Sequence, residues 1–272
     1  MGMSEGGDAL RSKGVIQDTD LIRPTLVAHR GYWLRYPENT LVALLAAVEA
    51  GAECVEFDVQ MTADNVPVLL HDADLPRTAG VAARVMELSI SELRQIEVNE
   101  PARLGPAFRG VRLPTVAEAV ALLGEWPQVV VFVEIKQDSL RRFGTALVVE
   151  RVVEMLRPVL ARCVVISYDS EALKRARDGH GVAIGWIIKR WSQRSRRRAE
   201  SLAPGYLVCN YLIATGTPGD LWPGPWRWVL YDADTAEAAL RLARLGAAYV
   251  ETRAIGELLS DPRLNPGGPP RP

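Results

Sequence analysis

Three short stretches carry acidic, basic and imidazole side chains at a spacing that suits metal-assisted acid–base chemistry. They are Ala28-His29-Arg30-Gly31, Glu56-Phe57-Asp58 and Glu134-Ile135-Lys136. If each ends a β-strand, alternation puts Glu56 and Asp58 on one face, with Val55, Phe57 and Val59 on the other, and sets Glu134 beside Lys136. Three carboxylates, Glu56, Asp58 and Glu134, meeting at one edge repel unless they are protonated or neutralised by a cation. A bound ion resolves this most simply, and an all-oxygen donor set selects Mg²⁺ or Ca²⁺ over Zn²⁺. The competing expectation is an ion-pair network in which Lys136, Arg30 and Arg77 satisfy the acids by themselves.

Of the three histidines, two fall at this same edge. His29 ends the first stretch. His71 follows an extended segment, Val66 to Leu70, that pairs back on Val59 and its neighbours; a two-residue turn at Asp64-Asn65 would set Asp58 opposite His71. Imidazole exchanges protons near neutrality, so His29 and His71 suit general acid and base roles. His180, in Asp178-Gly179-His180-Gly181, reads as a turn residue. Ser167 has no histidine–carboxylate partner of its own, so it does not read as a nucleophile. Trp222, Trp226 and Trp228 read mainly as core aromatics, with Trp228 kept as a candidate substrate contact. Cys54, Cys163 and Cys209 lie far apart in apolar runs, as buried free thiols do.

The elements that must position these groups follow from hydrophobic period. Strand patterns run Thr25 to His29, Glu53 to Asp58, Val129 to Ile135, Val164 to Tyr168, Val182 to Ile187, Tyr206 to Cys209, Trp228 to Tyr231 and Ala248 to Glu251. Amphipathic stretches separate them, among them Leu41 to Gly51, Val116 to Leu123, Leu140 to Leu156, Ser170 to Arg177 and Thr235 to Leu245. This alternation predicts a closed (β/α)8 TIM barrel, and no GxGxxG turn favours an open dinucleotide-binding sheet instead. Residues 59–114 read as an insertion after the second barrel strand, a hairpin followed by an excursion over one barrel face. The domain is expected over residues 23–262, with polar or Pro/Gly-rich tails at 1–22 and 263–272.

Composition narrows the function classes. With 32 Lys+Arg against 33 Asp+Glu and a net charge of -1, there is no long-range field to gather a polyanion, so nucleic acid is not an expected partner. No run approaches the ~18 apolar residues of a membrane span, and the first residues lack the apolar core of a secretion signal, so a cytoplasmic location is expected. Lys189 to Arg198 carries six cations; Arg194, Arg196, Arg197 and Arg198 are candidates for weak contact with an anionic membrane surface or with a substrate phosphate.

Together with Pro37-Glu38-Asn39-Thr40, Thr62-Ala63-Asp64, Val68-Leu69-Leu70-His71-Asp72, Arg77-Thr78-Ala79-Gly80 and Leu113-Pro114-Thr115, the three stretches resemble the glycerophosphodiester phosphodiesterase family, in order and spacing, from residue 25 to about 136. The resemblance implies a metal-dependent phosphodiesterase on a (β/α)8 barrel, yielding sn-glycerol 3-phosphate and an alcohol and so belonging to lipid metabolism. It implies His29 and His71 as acid and base, Glu56, Asp58 and Glu134 around one Mg²⁺ or Ca²⁺, and Arg30 and Lys136 at the phosphate. Two departures bear on substrate: Trp228-Val229-Leu230-Tyr231 replaces a Trp-Thr-Val-Asn run, and Thr252-Arg253 stands where Thr-Asp is usual. Lysophospholipase D activity on an acylated substrate is the close alternative. A non-catalytic barrel that binds a phosphodiester or a membrane is the alternative from another class.

Overall fold

The structure, a computed structural model, describes residues 22–216 and 221–266. Eight strands run parallel around a barrel: β1 (Thr25–Ala28), β2 (Cys54–Met61), β4 (Val130–Ile135), β5 (Cys163–Ser167), β6 (Ala183–Ile188), β7 (Tyr206–Asn210), β8 (Arg227–Tyr231) and β9 (Ala247–Thr252), while β3 (Pro67–Leu69) pairs antiparallel with β2. Closure is made by β1, which pairs with β2 through Val27↔Cys54 and with β9 through Val27↔Glu251. The expected strands are all present, most of them shifted by a residue or two.

Two apolar layers hold the barrel. Outward positions such as Val55, Phe57, Val59, Val131 and Val133 pack against the helices, and inward positions such as Val27, Cys54, Phe132, Val164, Ile166, Val208 and Val229 fill the lumen. Both faces are therefore buried, which is why these strands read as near-continuous runs of branched residues. Toward the carboxyl ends the inward positions turn polar, and that change of character makes the site.

Local signals account for the element ends. Thr40 caps the helix Leu41–Glu49, its side chain accepting from the Ala43 N–H, and Thr115 with Glu118 forms a capping box on Val116–Gly124. The single helix expected over Leu140 to Leu156 is two, Gln137–Phe143 and Thr145–Leu156, because Gly144 between them takes a φ of 83°. His180 is not in a turn: it ends the helix Ser170–His180, 3.0 Å from Glu150, and Gly181 supplies the left-handed cap.

The hairpin differs from the expected one by a residue. Its loop is three residues long, Asn65 taking a φ of 62° after a turn closed from the Asn65 N–H to the Thr62 carbonyl. A type I turn followed by a left-handed residue adds one position to the loop, so Val59 faces Leu69 and the Asp58 carbonyl accepts from the Leu70 N–H, not from His71. Beyond it the excursion forms short helical turns over a core of its own, with Val68, Leu70, Leu75, Val85, Met86, Leu93, Val98 and Leu113 buried together. The packed chain continues past 262, since Leu264 is buried in the main core and Arg263 pairs with Glu237. The tails lie outside the described residues over 1–21 and 267–272.

Candidate active site

The carboxyl ends of the barrel strands frame a cleft of about 870 Å³. Each strand contributes its last inward side chain: Glu134 from β4, Tyr231 from β8 and Glu251 from β9, with Tyr168, Lys189 and Asn210 completing the ring and His29 just past β1. Arg30, Lys136, His71 and Asp72 line it as well. Glu56 and Asp58, both 1% exposed, lie beneath on β2.

The floor is acidic. Single oxygens of Glu56, Asp58 and Glu134 all lie within 4.8 Å of one another, and His29, Glu56 and Glu251 form a second such group. Burial first, and then the Asp58 and Glu251 charges, push the Glu56 carboxyl well above its usual range. Glu251 is raised by burial and then by Glu134 and Asp58, and Glu134 is raised chiefly by burial. Asp58 goes the other way: burial opposes its ionisation, but Lys136 and Arg30 hold it well below the carboxylate range. Hard oxygen donors, mutually repelling and open to a cleft, are a set that Mg²⁺ or Ca²⁺ fits.

The expected ion-pair network is present in part. Lys136 Nζ lies 3.1 Å from Asp58 and 2.9 Å from Glu134, and Arg30 Nε lies 3.1 Å from Asp58. Arg77 does not take part; it is turned to Glu38 at 2.6 Å and Asp72 at 2.7 Å. A supporting layer is built from these contacts. Glu38 accepts from both Arg30 and Arg77, Arg77 holds Asp72, and Asp72 holds His71 Nδ1 at 2.7 Å. Asn39 donates to the Asp58 carboxylate and accepts the Asp58 backbone N–H.

The backbone beside His29 is unusual. Arg30 takes a φ of 54° and Gly31 one of 77°, which brings the Arg30 N–H to the Glu56 carboxylate at 3.0 Å. A Cβ at Gly31 would meet the Ala43 carbonyl carbon at 2.6 Å, so only glycine lets this turn rest on the first helix. A non-glycine residue held at positive φ stores strain, as binding sites often do.

The two histidines are set differently. His29 is buried, its Nε2 3.2 Å from Glu251, while Nδ1 makes no hydrogen bond and lies 3.8 Å from Asp232. Burial, and next the Arg30 charge, hold its imidazole well below the usual range. His71 stands at the rim with about a third of its side chain exposed, and Asp72 engages Nδ1. The Asp72 carboxyl is held below its usual range, first by the His71 hydrogen bond, with burial opposing and Arg77 assisting.

Glu251 is the group that sequence reasoning missed. The alternation applied to the first strands would have found it: Tyr249 and Glu251 are inward on β9 as Glu56 and Asp58 are on β2. Trp228, in contrast, does not reach the cleft. It faces outward from β8, stacked 5.3 Å from Trp191 with Nε1 donating to the Trp222 carbonyl, and Trp222 and Trp226 are buried in the same layer. The cleft position on β8 is Tyr231, whose hydroxyl lies 3.3 Å from that of Tyr168. Arg253 pairs with Asp234. The cationic run is split: Arg196 pairs with Glu200, while Arg198 turns to Ser170 and the Trp186 ring. Ser167 is buried and donates to the Ile135 carbonyl. All three cysteines are free and buried, and no helix among the described residues is long and apolar enough to cross a membrane.

Comparison with known proteins agrees with this geometry. The pattern defining the Glycerophosphoryl diester phosphodiesterase family matches residues 29–206. A glycerophosphodiester phosphodiesterase of Caldanaerobacter subterraneus subsp. tengcongensis is 28% identical over 68% of this chain and 77% of its own length. The bovine glycerophosphodiester phosphodiesterase 1 is 38% identical over 41% of this chain, which spans about a third (33%) of that mammalian protein. Among solved structures, an Oleispira antarctica phosphodiesterase in complex with sn-glycerol-3-phosphate superposes with a TM-score of 0.73 at 22% identity, covering 88% of this chain and 96% of that one. A Silicibacter pomeroyi protein described as a glycerophosphoryl diester phosphodiesterase superposes with a TM-score of 0.76 at 22% identity, over 92% and 95% of the two chains.

Proposed function

Because the chain belongs to the glycerophosphoryl diester phosphodiesterase family, we propose that it hydrolyses glycerophosphodiesters to sn-glycerol 3-phosphate and an alcohol, by metal-dependent histidine acid–base catalysis. One observation carries this reading: a single cleft gathers His29, His71, Arg30 and Lys136 above the grouped oxygens of Glu56, Asp58 and Glu134. A phosphodiester has an anionic centre and two oxygens that need protons moved, and these groups match each need. The product named with the Oleispira structure, sn-glycerol-3-phosphate, supports the choice of substrate.

A Mg²⁺ or Ca²⁺ ion held by Glu56, Asp58 and Glu134 would supply charge neutralisation at the phosphate. Arg30 and Lys136 orient the phosphate oxygens and stabilise the charge that builds in the transition state. Glu251 occupies His29 Nε2 and leaves Nδ1 as the bare nitrogen, and burial favours the neutral ring. His29 is therefore assigned as the base, taking a proton from the attacking oxygen, which is water or the substrate's own glycerol hydroxyl. Asp72 anchors His71 through Nδ1, which leaves Nε2 as the nitrogen that gives a proton to the leaving alcohol.

The test is release of sn-glycerol 3-phosphate from glycerophosphocholine and glycerophosphoethanolamine, with Mg²⁺ or Ca²⁺ and with a chelator. Ion-dependent release is expected from both. Release that persists undiminished in the chelator rules out the ion, and no release from a folded, ion-supplied sample rules out the reaction.

A further inference from the structure

Past β6, the chain turns through Lys189 and Arg190 into the helix Gln193–Leu202, and beside this turn lies a recess of about 200 Å³. Lys189, Arg190, Ser195 and Arg198 line it, and it shares Gln137, Tyr168 and Lys189 with the catalytic cleft. The recess therefore adjoins the cleft on the side of Gln137 and Lys189.

Its charge is one-sided. Lys189 Nζ donates to Gln137 at 2.7 Å and sits 4.5 Å from the Tyr168 ring centre. Arg198 donates to the Ser170 hydroxyl and lies 5.6 Å from the Trp186 ring centre. Arg190 makes no ion pair among the described residues, and no carboxylate lines the recess. The two arginines that line the cleft itself are matched, Arg30 by Glu38 and Arg141 by Asp138. In a chain of net charge -1, three cations converging on one recess without an acid leave a local positive field, and such a field favours an anion.

We propose that this recess is a second anion subsite, holding a negatively charged group on the alcohol side of the diester. It rests on the hydrolytic reading above. With the phosphodiester at Arg30 and Lys136, the leaving alcohol extends along Gln137 to Lys189, and a phosphate or carboxylate on that alcohol reaches Arg190 and Arg198. The preferred substrates are glycerophosphodiesters whose alcohol is anionic; a cationic choline is disfavoured there. Because these cations are exposed, the preference is modest, about tenfold, and weakens with salt.

A matched pair tests this: glycerophosphoinositol, whose alcohol is uncharged, and glycerophosphoinositol 4-phosphate, whose alcohol carries a phosphate. The wild-type protein is expected to prefer the phosphorylated member by about tenfold in kcat/KM, mainly through KM, and to lose the preference as salt rises. R190Q, at an exposed position with no partner to lose, and the double variant R190Q/R198Q should keep wild-type turnover of glycerophosphoinositol while the preference shrinks and then vanishes. Calorimetric titration of both compounds into the His29→Asn protein, which should not turn them over, reads the same difference in Kd, so a failure of hydrolysis is told apart from a failure of the subsite. Equal affinity for the two compounds overturns the proposal, as does a preference that survives in R190Q/R198Q. Loss of binding to phosphatidylglycerol vesicles in R190Q/R198Q, with no discrimination between the inositol compounds, assigns the patch to a membrane surface and overturns it too.

Discussion

Lys136 and a divalent ion should be partly interchangeable, and the substitution Lys136→Met makes that measurable. The ammonium lies 2.9 Å from Glu134 and 3.1 Å from Asp58, and all three are largely buried. Removing one partner of a buried pair leaves an uncompensated charge and costs about 3–5 kcal/mol. At ~2 °C per kcal/mol for a domain of this size, the chelated variant should melt about 6–10 °C below the wild type. Methionine keeps most of the volume, so the loss is electrostatic. An ion among Glu56, Asp58 and Glu134 restores the missing positive charge, and at a hundredfold its Kd it adds about 2.7 kcal/mol to the folded state. The variant, freed from the competing lysine, should bind the ion more tightly and gain more from it than the wild type does. Thermal melts followed by circular dichroism, in chelator and in millimolar Mg²⁺ or Ca²⁺, give all four values without reference to turnover. An equal deficit with and without ion would refute the idea that lysine and ion share one charge balance. No deficit in chelator would refute the buried pair itself.

The histidine roles separate by leaving group. His71→Asn should cost about 10²–10⁴-fold on glycerophosphocholine and far less on a p-nitrophenyl glycerophosphodiester, whose leaving group needs no proton, whereas His29→Asn should lose activity on both; the opposite pattern exchanges the assignments. Glu251→Ala removes a charged hydrogen bond worth about 1.5–3 kcal/mol, so kcat should fall roughly tenfold to a hundredfold with KM little changed, and Glu251→Gln, which still accepts from Nε2, should recover part of it; identical kinetics in both variants would deny Glu251 its orienting role. Burial pushes the Cys163 and Cys209 thiols up to about 12, whereas unfolded thiols ionise near ~8.5. The unfolded chain thus releases protons first as pH rises, and stability should fall between those values by up to ~1.4 kcal/mol per pH unit for each thiol. Denaturant midpoints from pH 8 to 11 check this, and Cys163→Ala should flatten the decline.

The barrel and most of its floor were legible because they follow from period alone. Alternation within β2 and β4 placed Glu56, Asp58, Glu134 and Lys136 on the lumen side, and turn residues placed His29 at a strand end. The hairpin register was not legible, since it depends on whether Asn65 joins the loop in a left-handed conformation, which the pair Asp64-Asn65 leaves open. Gly144 was read as an interior helix residue because period cannot see a φ of 83°. Trp228 was misplaced for a related reason. It looks functional by type, but its position on β8 is odd relative to Tyr231, and parity decides the face. The layer that runs from Glu38 through Arg77 and Asp72 to His71 joins residues 39 positions apart, and no local pattern announces such a contact.

Burial and mutual repulsion among the acids at the floor make it a place that a cation would stabilise. Four carboxylates, Glu56, Asp58, Glu134 and Glu251, converge there with two cations, Arg30 and Lys136, whose partners within ion-pair range at this floor are Asp58 and Glu134. Burial makes the fully ionised set costly, which is why the Glu56 and Glu251 carboxyls are raised well above the usual carboxylate range. A divalent cation held there would favour the ionised form of both acids. Proton release on ion binding is the corollary. Both carboxyls are raised above their usual range and a carboxylate binds an ion in its ionised form, so affinity should rise with pH. On the proposed mechanism an ionised Glu251 is also the stronger acceptor for His29 Nε2–H, so ion loading and the orientation of His29 should be linked.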